Sequence, residues 1–436
     1  MTHIVDFISD LRFDQIPEPA LNSARTCLTD TVGCMLAGIG YRPIQDLARS
    51  ICDSHPGQFG VLGTGRTTTA AWAAFLHTHS ATYFDLDDGH RKAQGHPGGV
   101  IIPLAMITAA EHKVSGKALL TAIVAGYETA VRSALIMRRA GGPRKGSGAW
   151  SLSGAVAAAA KLCGLPRPKL KNALGLAEYY APQAPQDRSL ASPSAMKEGM
   201  AWAAFSARTI VELASTGFDA MDPFLLDAPE CKDLGRNWEV NAVYRKEYAC
   251  CRFSHPVLDG LSALMEAHDI NPSAITSIRV KSFEKALLLN RTRPENPVAA
   301  MYSIPYVVGC KLAKGRVGCH EMGAAMLKDP QILALADKVT IEEDSALTAV
   351  FPEQCLARLE ICLADGTCIK SQTLSAKGDP DHPYSETEMY KKFVKLAAPV
   401  AGTETDTLYS QLCHGGNESM EKIWDRMISI SLSALA

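Results

Sequence analysis

The chain has 436 residues, and no apolar run in it reaches the ~18 residues that a membrane span needs. Its N-terminus, MTHIVDFISDLRF, carries acids and lacks the basic and apolar blocks of a signal peptide, so a cytoplasmic protein is expected. Neither charge is in excess: 44 basic residues stand against 46 acidic ones, a net of −2, which leaves no global field to draw nucleic acid or an anionic membrane. No CxxC pair and no HExxH occurs among the usual metal-binding spacings. The 13 cysteines are scattered and odd in number, and they read as reduced, mostly buried thiols. Dinucleotide, P-loop and nucleophile-elbow signatures are also missing, which removes support for dehydrogenase, nucleotide-binding and α/β-hydrolase readings.

What is there is a composition 47% hydrophobic and 21% charged, ordinary for a soluble globular protein, in a chain long enough for two domains or more. Apolar residues recur at helical spacing in Pro17–Ile39, Thr67–Tyr83, Val100–His112, Gly116–Met137, Ser151–Leu162 and Met196–Ser215. The small-residue run GAVAAAAKLCGL from Gly154 suits helices packed backbone to backbone. After Asn271-Pro272 the period changes. ITSIRVKSF alternates, LARLEICLADGTCIKSQTLS reads as a hairpin turning at Asp365-Gly366, and KVTIEED is a third strand. Short helices are expected at Pro305–Ala313, Glu321–Leu327 and Gln331–Ala336, and SETE from Ser385 caps a return to helix. The expected fold is mainly α: a large all-α helical domain (1–270 and 395–436) with a smaller α+β lid domain (271–394) inserted.

Five constellations could carry chemistry. FDLDDGHRKAQGHPGG, Phe84 to Gly99, crowds Asp85, Asp87, Asp88 and His90 just before His96. Adjacent carboxylates repel, so such crowding points to proton transfer, to a held cation or to a solvated capping loop. With a helix starting near Pro97, His96 sits at a helix N-terminus, where its imidazole stays neutral and can act as a general base. RKEYACCRFSHP brings Lys246, Arg252 and His255 within ten residues, a carboxylate-binding and proton-moving set or simply a polar loop. Lys197, entering an Ala-rich helix, snorkels to the surface or faces a cleft. Tyr306 is core or a proton donor. RRAGGPRKGSG, with Arg138, Arg139, Arg144 and Lys145, is a solvated basic loop or an anion-gathering lid.

Taken in order, FDLDDGH…HPGG, GAVAAAAKLCGL, MKEGMAWAA, RKEYACCRFSHP, YSIPYVVGCKLAKG and KGDPDHPYSETEMYKKF resemble the MmgE/PrpD family, which includes 2-methylcitrate dehydratase, cis-aconitate decarboxylase and iminodisuccinate epimerase. The resemblance spans most of the chain. It implies a helical domain with a lid, a homodimer, a small di- or tricarboxylate substrate, and a site with no metal or organic cofactor. By motif position it implies catalytic roles for Asp85, His96, Lys197, His255 and Tyr306, and substrate contacts from Lys246, Arg252, Asp88 and Lys145. Decarboxylase-like members carry Thr after the paired acids where this chain has Gly89, and many members carry His where Lys145 stands. Family reactions share a carbanion beside a carboxylate. The expected activity is therefore a dehydratase-like hydro-lyase, with an epimerase, a decarboxylase-like carboxy-lyase and a non-catalytic carboxylate-binding protein as alternatives.

Overall fold

The computed structural model describes residues 4–430, and within them helix predominates. The helices Glu18–Ile39, Ala70–Thr82, Gly98–Glu111, Gly116–Ala140, Ser147–Leu162 and Met200–Ser215 pack on one another as the sequence spacing predicts. Gly126 and Gly154 face each other where two of them cross. A methyl group on Gly154 would come within 2.4 Å of the Gly126 carbonyl oxygen, so the small-residue run does pack backbone to backbone. Gly116–Ala140 is the one described helix long and apolar enough to cross a membrane, and it is buried in the protein core. Helices Arg42–Ser54 and Arg167–Tyr180, not expected from the sequence, flank this set.

The main sheet lies within the segment that the sequence sets apart. Strand Ile275–Ser282 pairs in parallel with Val339–Glu343 and antiparallel with Leu356–Leu363. Leu356–Leu363 pairs in turn with Cys368–Lys370 and Leu374–Ser375. Ile278, Val280, Leu359 and Ile361 share the buried face, against helix His255–Ala267. The predicted capping box is present: Ser385 Oγ accepts from the Glu388 amide, and the Glu388 carboxylate accepts from the Ser385 amide.

Four expectations need correction. The helical part is not all-α: Phe59–Val61 pairs with Arg66–Thr68, and Gly89–His90 with Val243–Tyr244, in strands too short to show alternation. Glu321–Leu327 is not helical apart from the start of a short 3₁₀ turn, Met326–Lys328. Lys197 is not inside a helix: Lys197–Gly199 is a 3₁₀ turn with left-handed residues, ahead of helix Met200–Ser215. Not all cysteines are thiols: Cys362 and Cys368, facing each other across the Asp365-Gly366 hairpin, form a disulfide.

Candidate active site

Pairing of Gly89–His90 with Val243–Tyr244 lays the acidic loop beside the loop carrying Lys246. Asp85, 1% exposed, is the centre. Its carboxylate accepts from Lys197 Nζ at 2.6 Å, Lys246 Nζ at 2.9 Å and the Tyr302 hydroxyl at 3.2 Å. Lys246 also donates to the Asp85 carbonyl at 2.8 Å. Burial works to raise the Asp85 pKa, but the two ammonium groups reverse this and hold it well below the usual carboxylate range. The same burial opposes the charge on Lys246, and Asp85 more than restores it, so its pKa is raised.

His96 faces this cluster, its Nε2 3.9 Å from Asp85. Its Nδ1 lies 2.7 Å from the Asp88 carbonyl oxygen, which can only accept, so Nδ1 carries the proton. The Nε2 lone pair is then free. Burial, with Lys246 nearby, lowers the His96 pKa and favours the neutral ring, which is the basic form. A relay fixes its backbone: the His96 amide donates to Ser147 Oγ at 3.0 Å, and Ser147 donates from both its amide (2.6 Å) and its hydroxyl (2.7 Å) to Glu198. His96, Glu198, Tyr302, Arg91 and Arg252 border one cleft. A neutral imidazole and a phenol at the cleft, backed by the two ammonium groups buried behind them at Asp85, can remove a proton from carbon and stabilise the resulting negative charge.

A family model for the MmgE/PrpD N-terminal domain matches residues 2–230, and one for the C-terminal domain matches residues 248–412. The chain belongs to the MmgE/PrpD family. It is 25% identical to a cis-aconitate decarboxylase-like protein of Aspergillus oryzae, over 92% of this chain and 91% of that one. It is 25% identical to the 2-methylcitrate dehydratase of Cupriavidus necator, over 85% and 83%. Cis-aconitate decarboxylase of Mus musculus is 24% identical, over 91% and 86%.

The residues expected from sequence divide into two groups. Asp85, His96, Lys197 and Lys246 converge. Tyr306 does not join them: its hydroxyl donates to the Glu321 carbonyl at 3.0 Å, and Tyr302 takes the place at Asp85. Lys145 borders a different cavity and donates to the Gln183 carbonyl. Asp88 acts through its backbone, because its carboxylate is occupied by the Tyr127 hydroxyl and the Gly98 amide. His255 is wholly buried with both ring nitrogens engaged, Nε2 with the Cys250 carbonyl and Nδ1 with the Arg252 guanidinium. Burial, then Arg252, push its pKa far down. Arg252 borders the cleft, but its terminal nitrogens donate to the Arg245, Ala376 and Lys377 carbonyls and pair with Asp379. Asp87 makes no hydrogen bond through either carboxyl oxygen, and burial raises its pKa to about 7. The sequence thus crowds three carboxylates together, and the fold deals them three different surroundings. Tyr302 and Glu198 are the residues that sequence reasoning passed over, although both lie inside the motifs it quoted.

Proposed function

We propose that the protein is a cofactor-independent lyase that takes a proton from the carbon beside a carboxylate of a small di- or tricarboxylate. The observation that carries this reading is the tautomer of His96, whose free Nε2 faces a buried cluster of cations. In the proposed step, His96 Nε2 accepts the α-proton. Lys197 and Lys246 hold the negative charge that moves onto the substrate carboxylate, and Tyr302 gives its proton to the departing hydroxide, which leaves as water. Asp85 keeps both ammonium groups charged and in place. The segment 271–394 serves as the lid over this cleft, and the enzyme works as a cytoplasmic homodimer.

Dehydration is preferred to decarboxylation because of Gly89. The Tyr244 ring fills the space beside Gly89, and a methyl group there would lie 2.3 Å from it, so no Thr-like hydroxyl can be presented from this position. The carboxy-lyase reading is kept as the second one, because relatives matching over nine-tenths of the chain carry the name cis-aconitate decarboxylase.

A screen of citrate-like, aconitate-like and aspartate-derived diacids in D2O, followed by NMR, tests the proposal. The expected result is deuterium entering beside a carboxylate, together with a new alkene signal. Binding without exchange on every diacid would reduce the protein to a carboxylate binder.

A further inference from the structure

A second cavity, of about 390 Å³, opens beneath the 141–146 loop, with Gln94 lining both it and the cleft. Lys92, Arg138, Arg144 and Lys145 line it, and no carboxylate does. Two lining side chains have buried polar groups without a hydrogen-bonding partner in the protein. These are the indole N–H of Trp150, a residue only 2% exposed, and both ends of the Gln94 amide. One terminal nitrogen of Arg144 is also buried and unpartnered.

Buried donors without partners are uncommon and costly. Three kinds of N–H donor left open in one cavity together with four cationic side chains match one chemistry, an oxyanion that accepts several hydrogen bonds and carries the opposite charge. The loop is held to receive it. The Arg144 carbonyl accepts from the Gln186 amide at 2.8 Å, the Gly146 amide donates to the Ala184 carbonyl, and the Gln94 carbonyl accepts from Gln186 Nε2 at 2.7 Å. Lys145 spends one donor on Gln183 and keeps two. Arg138 is also 3.8 Å from the Glu353 carboxylate, which offsets part of its charge.

We infer that this cavity is a second anion site, for a small carboxylate or phosphate, in which Arg144 and the Trp150 indole N–H contact the anion directly. The inference is independent of the reaction proposed above.

The full-length protein labelled with 15N-tryptophan provides the test. The Trp150 indole signal is assigned with Trp150→Phe. It is then followed during titration with inorganic phosphate, with malonate, and with sodium chloride at matched ionic strength. Phosphate or malonate should move the signal downfield in a saturable way, and the tighter of the two identifies the source of the anion. Chloride should not. Arg144→Gln should weaken binding about tenfold or more, the loss expected of one charge-assisted hydrogen bond. Lys92→Gln, at the exposed rim, should weaken it less and serves if Arg144→Gln does not fold. An unmoved signal, an equal response to chloride, or a response unchanged in both variants would overturn the site. The last result would mean that Trp150 senses an anion held elsewhere.

Discussion

Asp85 and Asp87 are two residues apart and equally buried, yet the same substitution should move stability in opposite directions. Asp87 accepts no hydrogen bond on either oxygen, the neutral His96 ring coming no nearer than 3.7 Å, and burial, opposed by Lys246 and reinforced by Asp85, lifts its pKa from 3.8 to about 7. Below pH 3.8 both the folded and the unfolded chain hold this proton, and the group contributes nothing. Between 3.8 and about 7 the unfolded chain releases the proton while the folded chain keeps it, so stability falls as pH rises. Above that window the loss is complete, about 4 kcal/mol at ~1.4 kcal/mol per unit. Asp87→Asn is nearly isosteric and cannot ionise, so it escapes this loss. Burying its amide without partners costs about 1–3 kcal/mol at every pH. The variant should therefore be about 1–3 kcal/mol more stable than wild type at about pH 8. The gap between the two should widen by about 3 kcal/mol from about pH 5 to 8.

Asp85→Asn removes the carboxylate between two buried ammonium groups, 2.6 and 2.9 Å away. Removing one partner of a buried ion pair costs about 3–5 kcal/mol, and here two partners are stranded. At about pH 8 this variant should be less stable than wild type by at least that range. Urea unfolding of the three proteins at both pH values, followed by far-ultraviolet circular dichroism, measures the differences. If Asp87→Asn is the less stable protein at the higher pH, or its gap to wild type does not change with pH, then Asp87 is ionised and partnered in the fold and the reasoning fails.

Three further outcomes are expected once a substrate is in hand. His96→Ala should fold and lose about 10²-fold or more in kcat, the scale of a general base; near-wild-type turnover would remove His96 from the mechanism. Tyr302→Phe should lower kcat at least about tenfold, whereas Tyr306→Phe should keep turnover and lose only about 1 kcal/mol of stability, the worth of its hydrogen bond to Glu321; paired kinetics and thermal melts separate the two. EDTA should leave activity unchanged, and activity lost to the chelator and restored by a divalent ion would establish a metal-dependent reaction.

Much of this was readable in the sequence because period and capping are local. The Ser385 box, the Asp365-Gly366 hairpin and the Gly154 helix follow from rules that span a few residues. The hairpin register also pairs Cys362 with Cys368, a signal that was available and passed over. Asp85, His96, Lys197 and Lys246 could be chosen because each stands in one of the motifs that carry the family resemblance. Tyr302 was lost to Tyr306 because both stand in one motif. What separates them is Ser303, whose hydroxyl accepts from the Tyr306 amide and starts a new helix, leaving Tyr302 on the turn before it. The state of His255 and Arg252 was not legible at all. Their donors are spent on carbonyls of residues 245, 250, 376 and 377, and only the fold brings the last two close.

The place where local rules failed most plainly bears on function. Lys and Glu are good helix formers, and the apolar spacing from Met196 runs on into helix Met200–Ser215, yet Lys197 and Glu198 adopt left-handed backbone at φ 43° and 58°. Of the five non-glycine residues with positive φ among those described, four belong to the site: Asp85, Gln94, Lys197 and Glu198. Each such conformation costs about 1–2 kcal/mol, so together they oppose folding by several kcal/mol. The contacts that hold them are the ion pairs at Asp85, the Ser147 bonds to Glu198 and, for Gln94, the Gln186 side chain donating to its carbonyl. Had the helix begun at Met196, Lys197 would keep a relaxed backbone but would lose its aim at Asp85. Strain concentrated around one cleft, and held there in part by ion pairs among the groups proposed to act on the substrate, is what a fold retains when the direction of a side chain matters more than the comfort of its backbone.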